Sequence, residues 1–207
     1  MLTRCGELDE FAKSCFGHFL SFDANAIFSS HLVHNLLTRE ITFEGAGQNE
    51  IWFGIGQRRM RFSKYEFCLV TGLKFGGPSN IPSFNSIPVR GGVYQRYWPT
   101  MDVNVTRLNQ RFIEPGAVFQ KPLDAFKIAL VLFVETFLFG SDYRKKVSSW
   151  LFSLVEELEQ FNRFPWGKHV YQRTFQYLYK GIRSPQPGTD SVRWHLYGFP
   201  IALQVVF

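Results

Sequence analysis

Cys15, His18, His31 and His34 form the pattern C-x2-H-x12-H-x2-H, the residue types and the number of ligands that a tetrahedral zinc site uses. The pairs lack the cysteine-rich knuckle of zinc folds. His18 within CFGHFL and His34 within LVHNLL read instead as histidines packed between helices, so no metal and no cofactor is expected. Nucleophilic catalysis needs a thiolate and a base within reach of each other. Here Cys5, Cys15 and Cys68 lie in the first third of the chain, His169 and His195 come far behind them, and no DCG-like motif marks a nucleophile. Cys68 sits in an apolar stretch and reads as a small, inert hydrophobe. The glycines of residues 76–100 contain no GxxxxGK[ST], which excludes a P-loop. No catalytic residue is assigned, and the chain is not expected to be an enzyme.

Two features carry charge to unusual places. Glu135 lies in the middle of VLFVETFLF, and a buried carboxylate is costly unless it is paired. A structural pair is the expectation, with Lys127, Arg173 or His169 as partner. The second feature is the segment 51–112. It holds nine basic residues against Glu66 and Asp102, whereas the rest of the chain carries fourteen basic and fifteen acidic ones. The whole excess of a +6 protein therefore sits in one stretch. Its charges alternate with Tyr65, Phe75, Phe84, Tyr94, Tyr97 and Trp98, a composition that can neutralise phosphates and stack on unpaired bases. Arg58, Arg59, Arg61, Arg90 and Arg96 are the candidate nucleic-acid contacts, although the segment matches no known nucleic-acid module.

Helices and one hairpin must position these residues. Leu8–Phe19 and Ala26–Arg39 read as helices, the second with Ile27, Leu32, Val33, Leu36 and Leu37 near helical spacing. EIWFGIGQRRMRF reads as two strands joined at Gly56-Gln57. RFSKYEFCLVTGLKFG then starts a helix at Ser63, which stands three residues before Glu66 in a capping box. Phe62 and Phe67 occupy the staple positions beside it, and Gly72 supplies the left-handed stop. Residues 76–100 read as a long Gly/Pro-rich loop, Val103–Val105 as a short strand, and Thr106 as the cap of a helix through Phe112. Helices follow over Asp124–Phe139, Val147–Phe161 and Lys168–Lys180, then a Ser184–Asp190 loop and a last helix opened by Gly198-Phe199-Pro200.

These elements add up to an α+β fold, mainly a helical bundle with one small β-hairpin and a long loop, in a single domain over residues 1–207. Length and composition agree: 207 residues, 45% hydrophobic and 19% charged, describe a globular chain whose 23 phenylalanines make a phenylalanine-rich core. Three cysteines are too few, and odd in number, for a disulfide framework, which points to a reducing compartment, nucleus or cytoplasm. The most apolar run, Ile128–Phe139, spans twelve residues, short of the roughly 20 that a membrane span needs. No membrane association is expected.

CFGHFL, HLVHNLL, IWFGIGQRRMRFSKYEFCLVTGLKFG, FNRFPWGKHVYQRTFQYL and WHLYGFPIALQVV together resemble a plant domain of unknown function, the one numbered nineteen eighty-five. The resemblance runs over nearly the whole chain. More distantly, the hairpin and capped helix resemble the plant mobile domain. The family resemblance implies a plant protein of transposon-associated lineage whose domain often precedes a SUMO-protease-like cysteine protease, with no activity of its own assigned. It also singles out Trp166, in the FPWG signature, as structural beside Ser63, Glu66, Gly72 and Glu135. Members usually continue the last helix beyond the position of Phe207, so a truncated copy is expected, and the protease association is not carried over. Ile201, Ala202, Leu203, Val205, Val206 and Phe207 are then expected to leave apolar surface uncovered and to favour self-association.

Three functions follow as expectations. A non-enzymatic interaction or scaffold module of a transposon-derived protein, with an unknown protein partner, requires an exposed apolar or aromatic patch. A nucleic-acid-binding module requires the five arginines on one face. The third is an accessory domain of a SUMO-specific cysteine protease whose catalytic part is missing; an enzyme would instead require a pocket joining Glu135 to His169 or His195.

Overall fold

The computed structural model describes residues 2–23, 28–77, 90–99, 102–183 and 195–207. Residues 78–89 of the expected loop, the Ser184–Asp190 loop and the start of the Ala26–Arg39 helix lie outside the described residues. In chain order the elements are α1 (Leu2–Cys5), α2 (Leu8–Lys13), a 3-10 turn (Gly17–Ser21), α3 (Ser30–Leu37), β1 (Glu40–Ile41), β2 (Ile51–Ile55), β3 (Arg58–Phe62) and α4 (Lys64–Thr71). They continue with α5 (Val93–Tyr97), α6 (Val105–Ile113), α7 (Asp124–Phe133) running into a π-helical turn (Val134–Leu138), α8 (Ser149–Leu154), α9 (Leu158–Arg163), α10 (Trp166–Arg183) and α11 (Ile201–Val206). The fold is α+β and mainly helical. The expected hairpin is the antiparallel pair β2–β3, in register Ile51↔Phe62 through Ile55↔Arg58, and β1 adds a third antiparallel strand on β2.

The chain divides into two compact units. The first comprises Met1–Phe22 and Gly77–Phe164, the second Asp23–Gly76 and Pro165–Phe207. The first unit is built around α7, whose Ile128, Leu130 and Val131 are fully buried. Its phenylalanines pack ring on ring: Phe133 meets Phe11 at 5.6 Å, Phe16 at 5.1 Å and Phe19 at 5.4 Å, and Phe16 meets Phe161 edge-on. Such pairs add about 0.5–1.5 kcal/mol each beyond their buried area. The second unit packs the inward face of the sheet, Ile51, Phe53 and Phe62, against helical side chains, with Phe62 near Tyr171 and Phe53 edge-on to Phe207.

Local chemistry sets the joint between β3 and α4. The Ser63 N–H donates to the Glu66 carboxylate at 2.8 Å, the Ser63 hydroxyl accepts from the Tyr65 N–H at 3.2 Å, and both halves of the capping box are present. Phe62 and Phe67 close the staple at 6.4 Å, and Gly72 ends the helix at φ 65. Arg61 reinforces the box through two hydrogen bonds to Glu66, at 2.9 and 3.2 Å. Burial alone would raise the Glu66 carboxyl, but the bonds from Ser63 and Arg61 outweigh it and hold the group below its ordinary value. Ser63→Ala is expected to lose about 1 kcal/mol of stability in urea unfolding at neutral pH. The contribution of Glu66 is complete above its unfolded pKa and lost as pH falls through the lower folded one. Glu66→Gln should therefore flatten that part of the acid limb, and an unchanged limb would show that the box does not control it.

Several elements differ from the sequence expectation, each through tertiary contacts. Leu8–Phe19 is a short helix followed by a 3-10 turn, and the chain returns so closely that a Cβ at Gly17 would collide with the Ala12 backbone. Val103–Val105 is no strand: Asn104 pairs in a single bridge with Lys146, and its side chain, rather than Thr106, caps α6 by accepting from the Arg107 N–H. Val147–Phe161 is split into α8 and α9 around Val155–Glu157, where the Glu156 carboxylate turns to Lys127 at 2.6 Å and to the Val93 N–H. Lys127 therefore does not pair with Glu135. That carboxylate, buried in the π-helical turn, accepts from the Ser148 N–H at 3.3 Å. The last helix is also more covered than expected. Ala202 and Leu203 are fully buried and Phe207 lies on Phe53, so among the expected residues only Val205 is well exposed.

Candidate functional site

The second unit carries a groove between α4 and α10. Why two helices approach so closely is written at Gly167, near the start of α10. Its N–H donates to the Lys74 carbonyl at 2.8 Å, and a Cβ there would stand 2.7 Å from the Leu73 carbonyl oxygen. The backbone leaving α4 can therefore lie directly on the first turn of α10. Trp166 beside it is fully buried and anchors that turn.

Phe67, Phe75 and Tyr171 meet at 5.5–6.3 Å to make the aromatic bed at this crossing. The Tyr171 hydroxyl donates to the Asn49 carbonyl at 2.6 Å. Burial, reinforced by the charges of Glu50 and Glu66, drives its pKa far above the usual tyrosine range, so it stays a protonated donor. From Tyr171 the aromatic row continues along α10 to Phe175 and on to Tyr179, whose ring stacks on Phe175 at 5.8 Å. Spacing of four residues puts the three on one helix face.

The groove has a volume of about 800 Å³. Tyr65 and Cys68 form its α4 wall, Gln172, Phe175 and Gln176 its α10 wall, and Lys64 and Lys168 contribute ammonium groups. Beside it on α4, Leu69 is 85% exposed and Tyr65 58%. Leu69, one turn on from Tyr65, adds an exposed apolar side chain to the same helix. Among the described residues lining the groove there is no histidine and no carboxylate. The Cys68 thiol lies within 3.5 Å of the Leu73 carbonyl, as its donor, not beside a base. The arrangement can bind by apolar contact, hydrogen bonding and cationic attraction.

The residues singled out in the sequence fall elsewhere. Arg58 and Arg59 are exposed on β3, where the Arg59 guanidinium lies over the Phe43 ring at 5.0 Å. Arg61, on the same strand face as Arg59, is bound to Glu66 and Glu50 and lies over Trp52. Arg90 is exposed in the first unit. Arg96 has to be withdrawn as a phosphate contact: its side chain is 11% exposed and forks onto the buried Asp124 carboxylate. Cys15 and His18 belong to the first unit and His31 and His34 to α3 of the second. Among the described residues, no group of three or more His, Cys, Asp or Glu is placed to hold a metal. Cys68, read from the sequence as a small, inert hydrophobe, is exposed on α4. Sequence reasoning missed Lys168, Gln172 and Phe175. The one available signal is the run YQRTFQYLY, which has more aromatic residues than the core face of one helix uses.

The family model described as "Domain of unknown function (DUF1985)" matches residues 37–177, a span that includes the sheet, α4 and most of α10. No curated protein and no solved structure matches the chain.

Proposed function

We propose, for a chain that belongs to the domain-of-unknown-function family DUF1985, the role of a non-enzymatic protein-interaction module that holds a peptide segment of its partner between α4 and α10. The observation that carries this reading is the groove itself: aromatic at its bed, about 800 Å³ in volume, and flanked by Leu69 exposed to 85%. Helix-lined grooves of this kind take apolar anchors from a partner chain, and a few buried aromatic contacts supply most of the affinity. Within the plant, transposon-derived setting that the family resemblance implies, the module would act as a scaffold or as the recognition part beside a SUMO-type protease.

Selection of random displayed peptides against the purified chain tests it. Binders are expected to protect backbone amides of α4 and α10 from hydrogen exchange. The double variant Leu69→Asp/Phe175→Ala should weaken them roughly 30-fold, as loss of an interface anchor does. Failure to select any binder, or a footprint confined to other elements, would overturn the reading.

Nucleic-acid binding is the second reading, and β3 favours it. Arg59 is exposed there over Phe43, and Arg61 lies over Trp52 on the same face, so a cationic, aromatic outer sheet face exists without Arg58 or Arg96.

A further inference from the structure

The groove also selects the charge of its occupant. Lys64 opens α4, whereas Lys168 follows Gly167, where α10 meets the residues leaving the other end of α4. The two cations therefore stand towards opposite ends of α4, a helix of eight residues about 12 Å long at 1.5 Å per residue. Both are exposed, and neither is in an ion pair among the described residues. Glu50 and Glu66, whose charges reach Tyr171, share the single guanidinium of Arg61 at 3.4 and 2.9 Å. The five charged groups therefore sum to a net positive charge, and an acidic partner would find two unneutralised ammonium groups.

We infer that the occupant is an acidic peptide segment of a protein partner, with apolar anchors in its middle and carboxylates on either side of them. The inference rests on the groove being a protein-binding site. Leucine or phenylalanine side chains lie on Tyr171, Phe175 and Phe75, the flanking carboxylates meet Lys64 and Lys168, and the Gln172 and Gln176 amides bond the peptide backbone. Nucleic acid fits less well. Two cations neutralise few of the phosphates in a strand.

Two fluorescein-labelled peptides with the same leucine–phenylalanine centre test this, one flanked by glutamates and the other by lysines, read by anisotropy against the full chain. The glutamate peptide should bind roughly tenfold tighter, a preference that shrinks as salt is raised. Lys64→Glu/Lys168→Glu, at two exposed positions, should reverse the preference. Equal binding of both peptides with a footprint on α4 and α10 removes the acidic choice and leaves the groove reading standing. Tighter binding of the lysine peptide, or an unchanged preference in the double variant, overturns the inference alone. Displacement of the glutamate peptide by oligothymidylate overturns it in favour of a nucleic-acid site. No binding of either peptide defeats the inference and counts against the groove reading as well.

Discussion

Asp124→Ala is expected to cost about 3–5 kcal/mol, the penalty for breaking a buried ion pair by removing one partner. Asp124 is fully buried at the start of α7 and gathers four donors. Arg96 approaches both carboxylate oxygens, the Tyr97 hydroxyl donates at 2.7 Å, and the Lys121 N–H donates at 3.1 Å. The Tyr97 oxygen in turn accepts from the Gln120 N–H. Burial works against the Arg96 charge, and the hydrogen bonds and attraction of Asp124 outweigh it, so the guanidinium is held above its ordinary value. Without Asp124 the same burial leaves a cation with only the weaker attraction of Glu156 and a tyrosine hydroxyl without its carboxylate acceptor. A domain of ordinary stability, about 5–15 kcal/mol, would lose a large fraction of it. Urea unfolding measures the loss. The double replacement Arg96→Met/Asp124→Leu should recover most of it, because removing both charges also removes their desolvation cost. A single variant within 1 kcal/mol of the wild type would sink this account of the hub.

That hub was not legible in the sequence, and the reason is physical. Arg96 and Asp124 stand 28 residues apart, on α5 and α7, and nothing local to either one names the other. Arg96 therefore counted toward a basic patch when it serves the interior. Elements fixed by neighbouring residues were legible. Ser63, Glu66 and Gly72 specify the limits of α4 through contacts no more than a few residues long, and Gly56 specifies the β2–β3 turn. Elements fixed by distant partners were not. Val147–Phe161 has the pattern of one amphipathic helix, yet Lys127 and the Val93 N–H draw Glu156 inward and break it. β1 has two residues and no periodicity to read. The groove escaped for a related reason: α4 is apolar nearly all round, so its sequence cannot say that Phe67 and Thr71 face the core while Cys68 and Leu69 face out. Pairing with α10 decides that, and the pairing depends on a glycine.

Gly167→Ala should destabilise the protein by about 3 kcal/mol or more, with the sign opposite to what helix propensity alone gives. Alanine inside a helix is ordinarily better than glycine by about 1 kcal/mol. At Gly167, however, the new methyl would stand 2.7 Å from the Leu73 carbonyl oxygen, 2.7 Å from the Phe75 ring and 2.8 Å from the Lys74 carbonyl oxygen. Two of those three neighbours are backbone, and neither can rotate away as a flexible side chain could. Relief requires α10 to withdraw from the residues after α4, which lengthens the Gly167 N–H bond to Lys74 and opens the bed beneath the groove. The steric term therefore outweighs the propensity gain. Gly76→Ala is the matched control, since a Cβ there meets nothing within 4 Å and should change stability by no more than about 0.5 kcal/mol. Thermal unfolding of the two variants, followed by titration with a groove-binding peptide, separates the possibilities. Gly167→Ala is expected to melt earlier and to bind more weakly than Gly76→Ala. A Gly167→Ala protein as stable as the wild type would mean that α4 and α10 do not approach as described, and the groove would lose its structural basis.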